Sequence, residues 1–276
     1  MSASASADTS AALVARLRAA GCVFAEDEAR LLLSAAQDPA ALEAMVDQRV
    51  AGVPLEYVLG WAEFCGLRIA VDATVFVPRQ RTEFLVREAA ALLRAACDRP
   101  GRAGRMPVVL DMCCGSGAIG AALATVAGDI ELYATDLDPA AVRCARRNVA
   151  AGGRVFQGDL FEPLPTTLRG RVDILAANAP YVPTGAIGMM PPEARLHERL
   201  VALDGGADGL DVVRRVAGQA RDWLAPGGHL LVEANERQAP SAADAFARNG
   251  LTARIASSEE FGATLVIGTL IGTKGG

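Results

Sequence analysis

The feature that most constrains the fold is a regular alternation of apolar runs and helix-like segments from residue 108 onward. Five runs have the length and composition of buried strands, at 108–111, 130–135, 154–157, 172–177 and 229–233. Segments with helical periodicity lie at 118–127, 139–150, 210–223 and 239–249. Because parallel strands need crossover connections, this order predicts an α/β fold whose mostly parallel sheet carries helices on both faces.

The two ends of the chain depart from this alternation. The runs 252–257 and 264–269 leave no room for a crossover helix, which predicts that the last strand is antiparallel. At the other end, three Ala- and Leu-rich segments at 11–20, 25–37 and 39–51 predict amphipathic helices. We therefore divide the chain into a disordered tail, a small helical N-terminal domain, a β-hairpin linker with strands 67–71 and 74–77, and a main domain, at 1–10, 11–61, 62–78 and 79–276.

Composition limits the partners of this 276-residue chain. The net charge is -5 and no basic stripe is evident, which argues against a nucleic-acid partner. Six cysteines without a Cys-x-x-Cys pair, together with two histidines, predict that no metal is bound and that the thiols are reduced. The N-terminus lacks the pattern of a secretory signal and no run approaches ~18 apolar residues, so we expect a cytoplasmic protein without a membrane partner.

A glycine loop follows the first predicted strand of the main domain. Residues 115–120 read G-S-G-A-I-G, which matches the dinucleotide-binding fingerprint and makes a nicotinamide-dependent dehydrogenase one hypothesis. Asp111 precedes the loop and gives D-x-C-x-G-x-G, which resembles the acidic-x-G-x-G-x-G motif of class I methyltransferases with Cys113 in place of the first glycine. In both cases Gly115 and Gly117 would let the backbone approach a ligand closely.

Carboxylates at successive strand ends separate these two hypotheses. A pyrophosphate disfavours a nearby anion, whereas S-adenosylmethionine carries a sulfonium and an ammonium and tolerates Asp111. Asp136 ends the next strand and could accept both ribose hydroxyls, and Asp159 could accept from the adenine amino group. Leu137 and Leu160 follow these two carboxylates and belong to the same predicted site. The set predicts S-adenosylmethionine as the cofactor.

A short turn after the run 172–177 supplies the second candidate site. Asn178, Ala179, Pro180 and Tyr181 stand at the carboxyl end of a predicted strand, where open α/β sheets bind ligands. They provide an amide, a rigid backbone and an aromatic face, which together can hold a planar nitrogen for alkylation. Taken alone, the tetrapeptide is equally compatible with an ordinary turn at a strand end.

Several segments, in order, resemble one known group, the HemK/PrmC family of protein-(glutamine-N5) methyltransferases. Its best-known members modify the Gly-Gly-Gln glutamine of peptide-chain release factors. The resemblance covers the chain from about residue 55 to the end, and more loosely the helical N-terminus. The segments that carry it are 57–60, 63–67, 76–83, 111–119, 178–181 and 202–210, with Glu233 and Gln238.

The resemblance implies a Rossmann-like class I methyltransferase fold and S-adenosylmethionine-dependent methylation of a glutamine in translation termination. It also implies an acceptor protein, such as a release factor, that docks on the N-terminal domain. We expect the Asn178 side-chain oxygen and the Ala179 carbonyl to accept the two N–H groups of the acceptor amide. Pro180 would stiffen the turn, and Tyr181 would pack on the amide plane.

The resemblance also predicts two residues near the substrate, and the chain differs from the family's motifs at several positions. The family's segment at 76–83 places Arg79 and Glu83 near the substrate. In this chain Ala179 replaces the first proline of Asn-Pro-Pro-Tyr, and Gln80 with Arg81 replaces a proline and an acid. Two alternatives stay open, the first because of the turn itself and the second because of these changes. One is an N6-adenine nucleic-acid methyltransferase, which would use the same turn, and the other is a non-catalytic relative that still binds the cofactor.

Overall fold

A computed structural model of the protein describes residues 3–97, 105–149 and 152–271. Its helices are α1 Ala3–Ala19, α2 Ala25–Ala35, α3 Pro39–Val50, α4 Leu55–Leu59, α5 Glu83–Cys97, α6 Ala118–Ala127, α7 Pro139–Asn148, α8 Pro192–His197, α9 Asp211–Trp223 and α10 Ala239–Arg248. Its strands are β1 Trp61–Phe64, β2 Leu67–Ala70, β3 Val108–Met112, β4 Glu131–Asp136, β5 Arg154–Gln157, β6 Val172–Ala177, β7 Leu224–Ala234, β8 Thr252–Ser258 and β9 Ala263–Thr269. Short 3-10 helices lie at Gln80–Thr82, Thr166–Leu168, Thr184–Met189 and Leu200–Ala202.

The main sheet has seven strands in the order β5-β4-β3-β6-β7-β9-β8. Strands β3 to β7 are parallel, and β9 runs antiparallel to both β7 and β8. This confirms the predicted α/β class and the antiparallel last strand. The strand order reverses direction between β3 and β6, and such a switch point opens a crevice at the carboxyl ends of the strands.

Both faces of the central strands β3 and β6 are buried, as apolar strands require. Along β3, Val108 and Leu110 belong to one core cluster and Val109 to the other, because successive strand residues point to opposite faces. Helices α9 and α10 cover the first cluster, and helices α5 and α6 cover the second. A sheet covered on both sides leaves its carboxyl edge as the natural place for a ligand.

The N-terminal helices form a small core of their own, which includes Leu17, Leu32 and Val46. The three helices expected there are present as α1, α2 and α3. The expected disordered tail over 1–10 is wrong from Ala3 onward, because α1 begins at that residue. Alanine has the highest helix propensity, which suits an Ala-rich start to a helix. Residues 1 and 2 lie outside the described part of the chain.

The hairpin expected in the linker occurs, but it lies earlier in the chain. Strands β1 and β2 pair with Phe64 opposite Leu67, so the turn is Cys65-Gly66 rather than residues 72 and 73. Both turn residues have positive φ, of 50° and 73°, as a two-residue type I′ turn requires. Asn-Gly and Asp-Gly are the usual signals for this turn, and cysteine at its first position gave the sequence no such signal.

The expectations about membrane helices and metal sites can be compared with the structure only over the residues that it describes. Within residues 3–97, 105–149 and 152–271, no helix is both long and apolar enough to cross a membrane. Over the same ranges, no group of three or more His, Cys, Asp and Glu side chains is arranged to hold a metal ion. The Gly-, Arg- and Pro-rich sequence at 98–107 predicts a loop. Most of that segment lies outside the described residues, and its last part at 105–107 is irregular.

Candidate active site

A cavity lies in the crevice at the carboxyl ends of β3, β4 and β6, and we call it the first cavity. The glycine loop, the ends of β4 and β6 and the segment before α5 form its walls. Its lining includes Phe76, Thr82, Cys113, Cys114, Gly115, Ser116, Thr135, Asp136, Leu137, Asp138, Gly158, Asp159, Leu160, Asn178, Pro180, Val201, Ala202 and Arg215. Most of the residues predicted to bind the cofactor therefore meet in one place.

The glycine loop contributes residues of two kinds. Cys113, Gly115 and Gly117 all have positive φ, and Cys113 and Gly115 line the first cavity. Gly117 is not among the lining residues. A Cβ on Gly117 would lie 3.1 Å from the Cβ of Ala145 and 3.2 Å from Cγ2 of Val149. The structure therefore shows Gly117 in close packing between the loop and α7.

Asp111 is fully buried inside β3 and, like Gly117, is not among the residues that line the first cavity. Its Oδ2 accepts the Gly120 N–H at 2.9 Å, and no group in the described residues pairs with its Oδ1. Burial raises the pKa of the Asp111 carboxyl to about 8. Asp111 lies one residue before the end of β3, so its carboxyl group holds the first turn of α6 instead of facing the cavity.

The other two carboxylates do line the first cavity. Asp136 accepts the Gly115 N–H at 2.8 Å on one oxygen and the Asp138 N–H at 2.8 Å on the other. Burial raises the pKa of Asp136, and these backbone donors partly offset that effect. Asp159 forms an ion pair with Arg215 at 2.6 Å. Both carboxylates are thus held in place by neighbouring groups.

The donor set in the first cavity fits S-adenosylmethionine. Each Asp136 oxygen uses one of its two lone pairs on a backbone N–H, so each retains one for a hydroxyl of the ribose. Leu137 and Leu160 supply apolar walls beside Asp136 and Asp159, where an adenine ring could lie. Carboxyl groups in the lining also favour a ligand with positive charge over a pyrophosphate, which disfavours the dehydrogenase hypothesis.

A second cavity adjoins the first. Its lining includes Phe76, Arg79, Arg81, Asn178, Ala179, Pro180, Tyr181, Val182, Met190, Pro191, Glu193, Ala194, Ala202 and Leu203. Asn178 and Pro180 line both cavities, so the turn after β6 stands between them. Residues 183–202, which we call the cover segment, lie against the second cavity through Met190 and Glu193. All four residues of the predicted catalytic turn therefore face this space.

The backbone of this turn is supported from outside the cavities. The Gln238 side-chain amide donates to the Tyr181 carbonyl and the Asp208 carbonyl, at 2.8 Å each. A Cβ on Gly209 would lie 2.2 Å from the Tyr181 oxygen, and one on Gly205 would lie 2.7 Å from the Pro180 oxygen. The glycines of the 202–210 segment are thus required so that two loops can touch. Their spacing resembled the family, but its physical reason was not visible in the sequence.

The two residues expected near the substrate have different surroundings. Arg79 lines the second cavity and pairs with the buried Glu198 at 2.5 Å. Glu83 lines neither cavity, and its Oε1 accepts the Cys65 N–H at 2.9 Å. The structure therefore gives Glu83 a role in holding the hairpin turn. Arg81, one of the departures from the family pattern, lines the second cavity and pairs with Glu233 at 2.9 Å.

Sequence reasoning missed a hydrogen-bonded row behind Asn178. The Thr82 hydroxyl donates to Glu233 Oε2 at 2.6 Å, and Asn178 Nδ2 lies 3.3 Å from Thr82 Oγ1. Thr82 directly precedes α5, a position where threonine often caps a helix, but its hydroxyl donates to Glu233. Both residues lie in segments that resembled the family, which was the one signal that could have pointed to them. The contact itself joins positions 151 residues apart.

This fold and crevice define the protein as a methyltransferase of the Rossmann-like class. The family described as Methyltransferase small domain matches residues 86–190. The chain is 38% identical over 239 residues to a release factor glutamine methyltransferase of Geobacter sulfurreducens, covering 86% of this chain and 80% of that protein. It is 36% identical over 224 residues to the protein of the same name in Gloeobacter violaceus, covering 76% and 74%.

Another relative carries a different name. A 4-amino-L-phenylalanine/4-methylamino-L-phenylalanine methyltransferase of Streptomyces pristinaespiralis is 36% identical over 206 residues, covering 74% of this chain and 69% of that protein. The similarity to the two release factor glutamine methyltransferases extends over most of this chain and most of each of those proteins. The chain therefore belongs to the release factor glutamine methyltransferase family.

Proposed function

We propose that this enzyme transfers the methyl group of S-adenosylmethionine to the side-chain amide nitrogen of a glutamine in a peptide-chain release factor. One observation carries the proposal: Asn178 and Pro180 line both cavities. A donor in the first cavity and an amide in the second would meet at this turn. The reaction would take place in the cytoplasm, where translation terminates.

On the donor side, Asp136 would accept the ribose hydroxyls and Asp159 the adenine amino group. Cys113, Gly115, Leu137 and Leu160 would form the walls. When bound, the cofactor supplies an electrophilic methyl group on a positively charged sulfur. The transfer forms one N–C bond, breaks one S–C bond and releases one amide proton.

On the acceptor side, the turn would orient a weak nucleophile. A carboxamide nitrogen shares its lone pair with its carbonyl group, so it attacks well only when it is held in line. The Asn178 side-chain oxygen and the Ala179 carbonyl would accept its two N–H groups and shift electron density toward the nitrogen. Orientation of this kind can contribute about 7–11 kcal/mol.

Tyr181 would complete the acceptor site as a neutral aromatic ring. Burial, followed by the nearby Glu233 carboxylate, raises the pKa of the Tyr181 phenol to about 12. The ring therefore keeps its proton at neutral pH and presents a π face to the positive charge of the donor. The N–H proton becomes acidic only as the new bond forms, so the site has no need of a strong general base.

The proposal is tested by incubating the enzyme with isotopically labelled S-adenosylmethionine and a purified release factor, followed by peptide mass spectrometry. We expect one methyl group on the glutamine of the Gly-Gly-Gln segment. A release factor with Asn in place of that Gln is the control and should stay unlabelled. Label on nucleic acid, or on no acceptor in a whole-cell extract, would contradict the proposal.

A second candidate acceptor is the free aryl amine of an amino acid. The Streptomyces relative is named for such a substrate. Arg79 and Arg81 line the second cavity and could receive a carboxylate, and Arg81 stands where the family has an acid. Both arginines already pair with Glu198 and Glu233, and for that reason we rank this acceptor second. Methylation of 4-aminophenylalanine in place of the release factor would reverse the order.

A further inference from the structure

We infer that Thr82 and Glu233 are positioning residues that fix which end of the Asn178 amide faces the acceptor. The inference rests on the proposed function, because it assigns a direction to the hydrogen bond that Asn178 makes with the glutamine. It also gives a reason for selection of an amide over a carboxylate.

The row begins at Glu233, which lies near the end of β7 and is 2% exposed. Its carboxyl group receives three hydrogen bonds, from Arg81 Nε at 2.9 Å, from the Tyr181 hydroxyl at 3.3 Å and from the Thr82 hydroxyl at 2.6 Å. A carboxylate paired with a guanidinium accepts hydrogen bonds and has no proton to give. The single hydroxyl proton of Thr82 is therefore committed to Glu233.

That commitment decides the next bond. Because Thr82 Oγ1 donates its one proton to Glu233, it can only accept a further hydrogen bond. Its neighbour is the side-chain amide of Asn178, whose Nδ2 lies 3.3 Å away. The amide must then turn its Nδ2 toward Thr82. The opposite orientation would place the Asn178 oxygen against a hydroxyl oxygen with no proton left, and two acceptors would face each other.

The far end of the amide is thereby set as an acceptor. Among the residues that the structure describes, none donates to Asn178 Oδ1, and Asn178 lines both cavities. An oxygen held in this way matches the N–H group of a glutamine side chain. It repels the carboxylate of a glutamate, which has no N–H to offer. The row from Glu233 through Thr82 therefore acts on specificity as well as on rate.

The first test compares kcat, the KM of the release factor and the binding of S-adenosylhomocysteine for Thr82→Val and Thr82→Ser. Valine keeps the shape and removes the hydroxyl, so we expect kcat to fall about 10- to 100-fold while binding of the donor analogue changes little. Serine keeps the hydroxyl and should restore kcat to within about threefold. Thr125→Val, the same change at a threonine of α6 outside both cavities, is the control and should leave kcat unchanged.

A double-mutant cycle separates positioning from general structural support. If Thr82 acts through Asn178, Thr82→Val should lower kcat further by less than about twofold in an Asn178→Ala background, so the two losses should not add. Additive losses would overturn the inference. So would a Thr82→Val enzyme with the kcat of the wild type.

Glu233→Gln provides a second variant of the same shape, in case Thr82→Val does not fold. The oxygen of the new side chain would accept from Arg81, and its NH₂ group would donate to Thr82. The Thr82 hydroxyl would then donate to Asn178, whose side-chain amide would turn its oxygen toward Thr82. We expect a loss of kcat comparable to that of Thr82→Val, and wild-type kcat in this variant would also overturn the inference. Absence of methyl transfer by the wild-type enzyme would instead contradict the proposed function, and the inference with it.

Discussion

Arg49 Nη1 lies 2.7 Å from Glu193 Oε1, and this ion pair joins helix α3 of the N-terminal domain to the cover segment of the second cavity. The same guanidinium pairs with the buried Glu28 at 2.6 Å. Since Arg49 and Glu28 are both mostly buried, each depends on the other for a partner. The N-terminal domain, which we expect to dock the acceptor protein, is thus connected to the cavity where the acceptor amide would lie.

Replacing Arg49 with methionine should destabilise the protein by on the order of 3 kcal/mol, because it leaves the buried Glu28 without its cation. Glu193→Gln should cost less than about 1 kcal/mol, since that partner is half exposed. Urea unfolding measures both values. Arg30→Met is the matched control, because Arg30 forms an exposed pair with Asp27. Equal stability of Arg49→Met and Arg30→Met would contradict the description of this pair.

The stability of the protein should depend on pH through Asp111. Its folded pKa is raised above the ordinary value of 3.8 to about 8, so the folded state binds this proton more tightly than the unfolded state does. The contribution to stability is therefore full below about pH 4 and is lost as the pH rises toward 8. Asp111→Asn keeps an oxygen for the Gly120 N–H and removes the titration.

The free energy of unfolding of Asp111→Asn, relative to that of the wild type, should rise by on the order of a few kcal/mol from pH 5 to pH 8.5. Urea unfolding at both pH values provides the comparison. Asp129→Asn, the same substitution at an exposed position, serves as the control for the chemical change itself. A stability difference for Asp111→Asn that is the same at both pH values would show that the carboxyl group does not titrate in this range.

Gly209 should resist substitution because its φ is +80° and an added Cβ would lie 2.2 Å from the Tyr181 carbonyl oxygen. Gly209→Ala should lower stability by about 1–3 kcal/mol and displace the turn at 178–181, which on the proposed function reduces kcat. Gly218→Ala in α9 is the matched control, since no atom lies within 4 Å of its added Cβ. That variant should gain roughly 0.5–1 kcal/mol from the helix propensity of alanine. Thermal unfolding and steady-state kinetics measure both variants. A Gly209→Ala protein as stable and as active as Gly218→Ala would contradict the prediction.

Asp136 should contribute more than Asp159 to binding of the cofactor. Both Asp136 oxygens accept a backbone N–H, so Asp136→Asn would set its NH₂ group against one of these donors and distort the site. We expect S-adenosylhomocysteine to bind at least about tenfold more weakly, by isothermal titration calorimetry. Asp159→Asn should lose less, because Asp159 already shares its charge with Arg215. The reverse order would remove Asp136 from its assigned role.

The sequence predicted the main sheet well because its signals are local. Strand β6 matches its predicted range because a buried parallel strand is a nearly continuous apolar run. Strand β5 also matches its predicted range, although it lies at the edge of the sheet and its two end residues are polar and exposed. The hairpin was misplaced because its turn uses Cys65, a residue that seldom adopts positive φ. The start of α1 was missed because Ser and Ala near a chain end were interpreted as a tail.

The site was predicted in part, for a comparable reason. Asp136 and Asn178 stand at or just after strand ends, a position that a sequence reveals directly. Asp111 stands one residue earlier, and the pleat of β3 turns it away from the cavity. Thr82 and Glu233 are 151 positions apart, and no local sequence pattern around either residue predicts that they are in contact.

The central claim is that Asn178 holds the acceptor amide against a donor bound in the first cavity. The most direct measurement is made on Asn178→Ala, with donor-analogue binding determined by calorimetry and methyl transfer by mass spectrometry on the same preparation. We expect the dissociation constant of S-adenosylhomocysteine to stay within about threefold of the wild type while kcat falls by about 100-fold or more. Methyl transfer at the wild-type rate would contradict the account.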